Sequence, residues 1–193
     1  MNEYGFVSAE IGGRMLSLET GLLARQATSA VVVRYGDTVV LVTATMSPHA
    51  RTEIDFFPLV VDFEERKYAV GKIPGGFIKR GGRPSDESIV QGRLVDRAIR
   101  PLFPKGMRNE VQVIVLPLSV DFDNPPAVLG IIGASAALSI SPTPWNGPLG
   151  AVRVGCINGE LIINPTSDLT EQSSLELVVA SRPDHVMTVS YTH

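Results

Sequence analysis

The sequence predicts an α+β fold with the element order βββαβαβββ, in which helices pack on a mixed sheet. Three observations support this prediction: runs of β-branched residues, two helical segments between them, and short turns that join neighbouring strands. The chain has 193 residues, of which 44% are hydrophobic, so it is long enough to bury a core.

Three strands are predicted before the first helix and one directly after it. Residues 30–45, AVVVRYGDTVVLVTAT, contain two β-branched runs around a turn, which is typical of an antiparallel hairpin. A third strand is predicted at residues 57–63. Residues 111–120 predict a buried strand, and Pro117 within it indicates a sheet edge or a bulge.

The C-terminal half contains the second helix and the remaining strands. Residues 127–140 predict an apolar helix rich in small residues, which is too short to span a membrane. A hairpin should turn at Asn158-Gly159, and the segment LELVVAS should add one more strand.

The first helix should begin at Ser85, which follows a proline and precedes two acidic residues. Pro101 ends it. On a helical wheel the apolar residues share one side, whereas Arg93, Arg97 and Arg100 share the other. We expect the three guanidinium groups to be unpaired and to point the same way, which suits the binding of phosphate groups.

Positive charge is concentrated in the middle of the chain. Residues 66–108 hold eleven Lys and Arg against three acidic residues, a net charge of +8, whereas the rest of the chain carries -11. The whole chain has a net charge of only -3. Such an asymmetry indicates an anionic partner that meets the middle segment.

The segment at residues 71–83, GKIPGGFIKRGGR, is predicted to be a long loop. Phe77 offers a face on which a base can stack, while Lys79, Arg80 and Arg83 can pair with phosphates. This combination holds single-stranded nucleic acid without reading its sequence. The alternative is a solvated loop whose Phe77 folds back on the core.

Other kinds of chemistry have weaker support. GKIPGG matches no nucleotide-phosphate loop, the three histidines lie far apart, and no Gly-x-Ser-x-Gly motif is present. Cys156, the only cysteine, rules out an internal disulfide and is expected to be a small buried hydrophobe. Two carboxylate clusters could hold a metal, although strand-end and turn positions also explain them: Asp62 with Glu64 and Glu65, and Asp121 with Asp123.

No targeting segment and no apolar run of about 20 residues is present, so we expect a soluble, cytoplasmic protein without a membrane partner.

A resemblance to the first RNase PH-like domain of the polynucleotide phosphorylase family is carried by the segment DFFPLVVDFEERKYAVGKIPGGFIKRGGRPSDESIVQGRLVDRAIRPLFPKGMRNEVQV. The similarity extends to LETGLLARQATSAVVVRYGDTVVLVT, IIGASAALSIS, NGPLGAVRVG and LELVVA, so it covers about residues 5–180. It implies an RNase PH-like fold of the ribosomal protein S5 domain 2-like type. It also implies a phosphate-dependent 3'-to-5' exoribonuclease that releases nucleoside diphosphates and, in reverse, polymerises them.

The resemblance assigns roles to some of the residues above. FIKR at 77–80 stands where the family usually has Phe-Phe-Arg-Arg, a loop that grips RNA. The resemblance therefore implies that Phe77, Lys79 and Arg80 bind RNA. The residues at positions 78 and 79 depart from the pattern, because isoleucine cannot stack on a base and lysine lacks a planar fork. Arg93 and Arg97 match family arginines that face the active-site cleft.

The resemblance also implies parts that this chain does not contain. Residues 1–180 correspond to the first RNase PH-like domain without its last helix, and residues 181–193 to a divergent tail. The family's metal and phosphate sites belong to a second RNase PH-like domain. No catalytic or metal-binding residue is therefore expected here, and Mg2+ or Mn2+ would bind in that absent domain. Inorganic phosphate as co-substrate, single-stranded RNA, KH and S1 domains and a homotrimeric complete enzyme are implied as well.

Three hypotheses follow from the sequence. The chain is the N-terminal part of such an exoribonuclease, or a non-catalytic module for RNA binding and assembly, or an inactive truncated fragment with exposed apolar sheet surface.

Overall fold

The computed structural model describes residues 3–75, 77 and 82–191. Within them lie ten strands: β1 Gly5–Ile11, β2 Arg14–Thr20, β3 Ser29–Tyr35, β4 Thr38–Ala50, β5 Leu59–Phe63, β6 Asn109–Ser119, β7 Gly150–Ile157, β8 Glu160–Ile163, β9 Glu176–Ser181 and β10 Val186–Tyr191. Three α-helices accompany them: α1 Asp86–Ile99, α2 Pro126–Ile140 and the short α3 Ser167–Glu171.

The strands form two sheets with α1 and α2 packed against them. The first sheet is mixed and has the order β1-β2-β3-β4-β6-β5, with β5 and β6 parallel and every other neighbouring pair antiparallel. The second sheet is antiparallel and has the order β10-β9-β7-β8. The predicted α+β class, with helices on a mixed sheet, is confirmed.

The predicted element order was incomplete. Both hairpins, the strands β5, β6 and β9, and the helices α1 and α2 were predicted. The hairpin β1-β2, the helix α3 and the strand β10 were not, and neither was the division into two sheets.

Pro117 lies in a central strand, so the expectation of a sheet edge was wrong and that of a bulge was right. Strand β6 lies between β4 and β5. Val40 pairs with Pro117 and the adjacent Val39 with Ser119, so the register skips one residue of β6. The proline therefore coincides with a local interruption of the ladder, where a missing N–H costs little.

Helix α2 is buried on nearly every side and forms the centre of the core. It contacts β3, β4 and β7 as well as α1, and ten of its residues are buried. A helix that is apolar all round belongs in a core. No helix in the described part of the chain is both long and apolar enough to cross a bilayer.

Two glycines let α2 approach the first sheet closely. A Cβ atom at Gly133 would lie 2.5 Å from Val42 Cγ2 and 2.9 Å from Val33 Cγ2. One at Gly130 would lie 2.9 Å from Val115 Cγ1. Both distances are too short for non-bonded carbon atoms, so the spacing between helix and sheet depends on the absence of side chains at these positions.

A carboxylate ties the turn after β6 to the β3-β4 turn. Asp121 accepts hydrogen bonds from the backbone N–H groups of Asp37 and Thr38 at 2.9 and 3.1 Å, and from those of Asp123 and Asn124 at 2.9 and 2.7 Å. Burial raises the pKa of Asp121, but the hydrogen bonds from Asn124, Asp37 and Asp123 outweigh it and hold the pKa below the ordinary 3.8.

A buried arginine connects the second sheet to the same turn. Arg153 in β7 donates to the carbonyl oxygen of Asp123 at 3.0 Å and to that of Pro165, and its guanidinium lies 3.8 Å from the Glu176 carboxylate. Burial lowers the pKa of Arg153, and the charge of Glu176 opposes that shift. The sequence analysis missed this residue, because a charged side chain between two valines is expected on the solvent face of an alternating strand, whereas here Arg153 faces inward and the valines face outward.

The close approach of α2 can be tested with Gly133→Ala. We expect the added methyl group to push α2 away from Val42 and to lower the free energy of unfolding by about 1–3 kcal/mol, as overpacking does in other cores. Urea denaturation followed by circular dichroism measures the change. Gly150→Ala is the control, because a Cβ atom there meets nothing within 4 Å. Equal stability of the two variants would contradict the packing argument.

The role of Asp121 predicts a specific dependence on pH. Its pKa is lower in the folded state, so the ionised carboxylate stabilises the fold above pH about 4. That contribution is lost as the pH falls through the folded-state pKa. We expect Asp121→Asn to be less stable than the unmodified protein at pH 7 and to lose less stability between pH 5 and 3. Denaturation curves across this range test it, with the exposed Asp55→Asn as the control that keeps the original acid dependence.

Candidate nucleic-acid interface

Helix α1 begins where the sequence predicted. The Ser85 hydroxyl oxygen accepts a hydrogen bond from the Ser88 backbone N–H at 3.0 Å, and Asp86 and Glu87 occupy the first turn. The same hydroxyl donates to the Glu65 carboxylate at 2.5 Å. This cap fixes the start of α1 relative to the segment that follows β5, and thereby fixes which residues of the helix face outward.

The two faces of α1 differ as predicted. Val95, Ala98 and Ile99 are fully buried, whereas Arg93 and Arg97 are exposed. Gly92 brings the helix close to the sheet, because a Cβ atom there would lie 3.2 Å from the carbonyl oxygen of Val61 in β5.

Arg100 does not join the other two arginines as a free cation, and this part of the prediction was wrong. Its guanidinium binds both carboxylate oxygens of Asp96 at 2.7 and 2.8 Å. It also donates to the carbonyl oxygens of Phe57 at 3.4 Å and Leu59 at 3.1 Å. Arg100 therefore anchors the end of α1 to the segment that enters β5.

The pairing of Arg100 leaves Arg93 and Arg97 without the nearest acid in sequence. Both oxygens of Asp96 accept from Arg100, and Asp96 forms no salt bridge with Arg93 or Arg97. No described residue forms a salt bridge with Arg93 or Arg97. One helical turn separates the two, which sets their Cβ atoms about 5–6 Å apart.

A groove of about 340 Å³ lies between α1 and the edge strand β5. Arg93 and Ile89 line its helix side, and Asp62 and Glu64 line its sheet side. Arg97 lies outside the groove lining. The basic surface is thus the outer face of α1, whereas the wall of the groove on the sheet side is acidic. An anion is therefore expected along the helix and not deep in the groove.

The loop before α1 is only partly described. Phe77 is fully exposed, so the alternative in which it folds back on the core is not the observed one. Arg83 is exposed as well. Lys79 and Arg80 lie outside the described residues, and their predicted role in binding RNA stays a prediction.

The two carboxylate clusters do not offer a metal site in the arrangement observed. Asp121 is held by four backbone N–H groups, Asp62 accepts from Gln112 at 3.0 Å, and Glu64 pairs with Arg66 at 2.9 Å. Across residues 3–75, 77 and 82–191 no group of three or more His, Cys, Asp or Glu could hold a metal ion.

Cys156 is half-buried, so the expectation of a fully buried side chain was wrong. It lies on the outward face of β7, opposite Leu161 of β8.

An α+β fold with an exposed basic helix face is typical of a protein that binds nucleic acid, and comparison with known proteins shows the family. The chain belongs to the 3' exoribonuclease family: residues 12–144 match domain 1 of that family and residues 147–190 match domain 2. The first match spans most of the first sheet with α1 and α2, and the second match spans the second sheet.

Similar curated proteins are polyribonucleotide nucleotidyltransferases. That of Heliobacterium modesticaldum is 60% identical over 182 residues, which are 94% of this chain and 26% of the relative. That of Pelotomaculum thermopropionicum is 62% identical over 179 residues, 93% of this chain and 24% of the relative. The chain thus spans about a quarter of the length of these relatives.

A solved structure shares the fold. Rice (Oryza sativa) Rrp46 has a TM-score of 0.66 and 15% sequence identity, and the match covers 97% of this chain and 79% of Rrp46.

The different roles of the arginines on α1 lead to a test of stability. Arg100→Ala removes the Asp96 pair and two hydrogen bonds to carbonyl groups, so we expect a loss of about 1–3 kcal/mol. Arg97→Ala removes an exposed side chain and should change stability by less than about 0.5 kcal/mol. Thermal and urea unfolding of both variants provide the measurement. A larger loss for Arg97→Ala than for Arg100→Ala would reverse the two assignments.

Proposed function

We propose that this chain is the RNA-gripping part of a phosphate-dependent 3'-to-5' exoribonuclease. The complete enzyme would convert RNA and inorganic phosphate into nucleoside diphosphates, and the reverse reaction would lengthen RNA. The observation that carries the proposal is the pair of exposed arginines Arg93 and Arg97 on a capped helix. The acid nearest to them in sequence, Asp96, binds Arg100. The relatives named polyribonucleotide nucleotidyltransferase support it.

The RNA path would run along the outer face of α1 and across the preceding loop. The guanidinium groups of Arg93 and Arg97 would each bind a phosphate through two parallel N–H groups. Phe77 is fully exposed and would stack on a base, while Arg83 would add a further phosphate contact. Lys79 and Arg80 are proposed to grip the same strand. None of these contacts reads a base edge, so binding would not depend on sequence.

The bond-breaking chemistry is proposed to lie outside this chain. Phosphate would attack the 3'-terminal phosphodiester, and Mg2+ or Mn2+ would be held by a second RNase PH-like domain. The described carboxylates support this division, because they already accept hydrogen bonds or salt bridges within the fold. KH and S1 domains, a homotrimeric assembly and a cytoplasmic location complete the proposal for the full-length enzyme.

Residues 1–180 are proposed to represent the first RNase PH-like domain without its last helix, followed by a divergent tail. An apolar outward face of the second sheet supports this. Strand pairing places Val152 and Val154 of β7 on the same face as Ile163, Leu177 and Val179 of the neighbouring strands. Leu161 on this face is 69% exposed and Ile163 48%. Antiparallel sheets with one solvated face usually carry polar residues there, so this face suits a covering element.

The second candidate function is binding of RNA without cleavage by the isolated chain. It is supported by the same hydrogen bonds and salt bridges of the carboxylates. Among the described residues no group of three or more His, Cys, Asp or Glu could hold a metal ion. Both candidates predict that the purified 193-residue chain releases no ADP from poly(A) with phosphate and Mg2+, so this assay tests the division of labour that they share. A second RNase PH-like domain encoded in the same gene would favour the first candidate. Release of ADP that Asp62→Asn or Asp121→Asn abolishes would overturn the proposed division of labour, whereas binding without release agrees with it.

The double variant Arg93→Ala with Arg97→Ala tests the binding face. We expect weaker binding of single-stranded RNA of any sequence, with a salt dependence of log K that is shallower by about 0.7 for each lost phosphate contact. Fluorescence anisotropy with labelled poly(A) and poly(U) at several salt concentrations provides both quantities.

The matched control is Arg25→Ala with Arg34→Ala, which removes the same charge from exposed positions outside residues 66–108, where neither arginine forms a salt bridge with a described residue. If both double variants lose affinity and salt dependence equally, RNA binding reflects net charge alone and the helix face is not the site.

A further inference from the structure

A short 3₁₀ turn, Lys67–Val70, follows strand β5 and carries an exposed tyrosine. Tyr68 is 55% exposed, whereas the next residue, Ala69, is only 7% exposed. The Ala69 carbonyl oxygen accepts a hydrogen bond from the Val120 backbone N–H at 2.8 Å, which ties the turn to the end of β6. Tyr68 thus projects into solvent from a segment whose backbone is anchored.

Two lysines flank this tyrosine. The Lys72 backbone N–H donates to the Lys67 carbonyl oxygen at 2.9 Å, which brings the two lysines together at the base of the turn that carries Tyr68. Gly71 makes this closure possible, because its φ of 67° lies in the left-handed region that favours glycine. Both lysines are exposed, and neither forms a salt bridge with a described residue.

The two acidic residues that precede the turn both have partners elsewhere. Glu64 pairs with Arg66 at 2.9 Å, and Glu65 accepts a hydrogen bond from the Ser85 hydroxyl at 2.5 Å. The turn therefore presents an aromatic ring between two ammonium groups that have no described acidic partner. This is the combination that holds single-stranded nucleic acid, because a base stacks on the ring and phosphates pair with the cations.

The turn lies beside the start of α1. The hydrogen bond between Ser85 and Glu65 joins the residue before α1 to a residue two positions before the turn. Arg93 follows Ser85 by eight residues, which is about 12 Å along the helix axis. A strand bound to Arg93 and Arg97 can therefore continue past the start of the helix onto the turn.

We propose that Lys67, Tyr68 and Lys72 form a second contact for the RNA strand, in addition to the face of α1 and Phe77. The ring of Tyr68 stacks on a base, and the two ammonium groups bind the phosphates on either side of that base. This inference rests on the proposed function, since the same strand lies along α1. An RNA reaches the second contact only when it is long enough to extend beyond the helix.

Tyr68→Ala is the direct test, with labelled oligoadenylates of about 4 and about 16 nucleotides, the range of lengths that single-strand sites span. Fluorescence anisotropy should show at least about fivefold weaker binding of the long oligonucleotide, because one stacked base is lost. The short oligonucleotide should bind nearly as before, since Arg93 and Arg97 hold it. Tyr68→Phe keeps the ring and should restore binding, and Tyr4→Ala, which removes a tyrosine that is 61% exposed, is the control.

A lysine variant keeps the test decisive if the tyrosine variant folds poorly. Lys67→Ala with Lys72→Ala should weaken binding of the long oligonucleotide and make the salt dependence of log K shallower by about 0.7 for each lost phosphate contact. Arg25→Ala with Arg34→Ala removes the same charge elsewhere and should have a smaller effect on both quantities.

The arginine variant, Arg93→Ala with Arg97→Ala, separates this inference from the proposed function. If it weakens binding of both oligonucleotides while changes at Tyr68 and at the two lysines weaken neither, the second contact is wrong and the binding face on α1 stands. The exposed tyrosine would then serve a protein partner instead. A loss confined to the tyrosine and lysine variants would support the second contact and overturn the binding face on α1. If the unmodified chain binds neither oligonucleotide, both are overturned.

Discussion

The burial of α2 between the two sheets is the constraint on which the rest of the structure depends. A helix that is apolar on nearly every side needs neighbours all around it, and here it contacts β3, β4, β7 and α1. Gly130 and Gly133 set its distance from the first sheet, since any side chain there would collide with Val115 or Val42. The layers therefore have a fixed spacing, and α1 has a fixed surface on which to pack.

The placement of the arginines follows from that packing. Helix α1 presents Val95, Ala98 and Ile99 to the core, and Gly92 lets it approach β5. The helical repeat then puts Arg93 and Arg97 on the opposite, exposed side. Arg100 lies where the helix meets the segment entering β5, so its guanidinium reaches Asp96 and two carbonyl groups.

The elements with strong hydrophobic patterns could be predicted from the sequence, and those without them could not. Helix α1 has a cap residue and a clear apolar side, and β3 and β4 are β-branched runs. Strand β1 carries exposed apolar residues on both faces, as the adjacent Phe6 and Val7 show, so no alternation marks it. Strand β2 is short, and the alternation of its two leucines with polar residues in LSLE was missed. The pairing of Arg100 with Asp96 was missed because the three arginines lie on one helix face and were therefore all expected to lack an acidic partner.

The basic segment, residues 66–108, lies in a connection between two strands that is longer than the fold requires. Strands β5 and β6 are parallel neighbours, and residues 64–108 connect them with α1 in between. A parallel pair needs a crossover of only a dozen or so residues, and most of that requirement is met by the helix itself. The loop at 71–83 exceeds what closure of the crossover demands, and extra loop length costs little stability. Because it follows the carboxyl end of β5, where ligands bind in sheets with parallel strands, its composition can serve binding without disturbing the core.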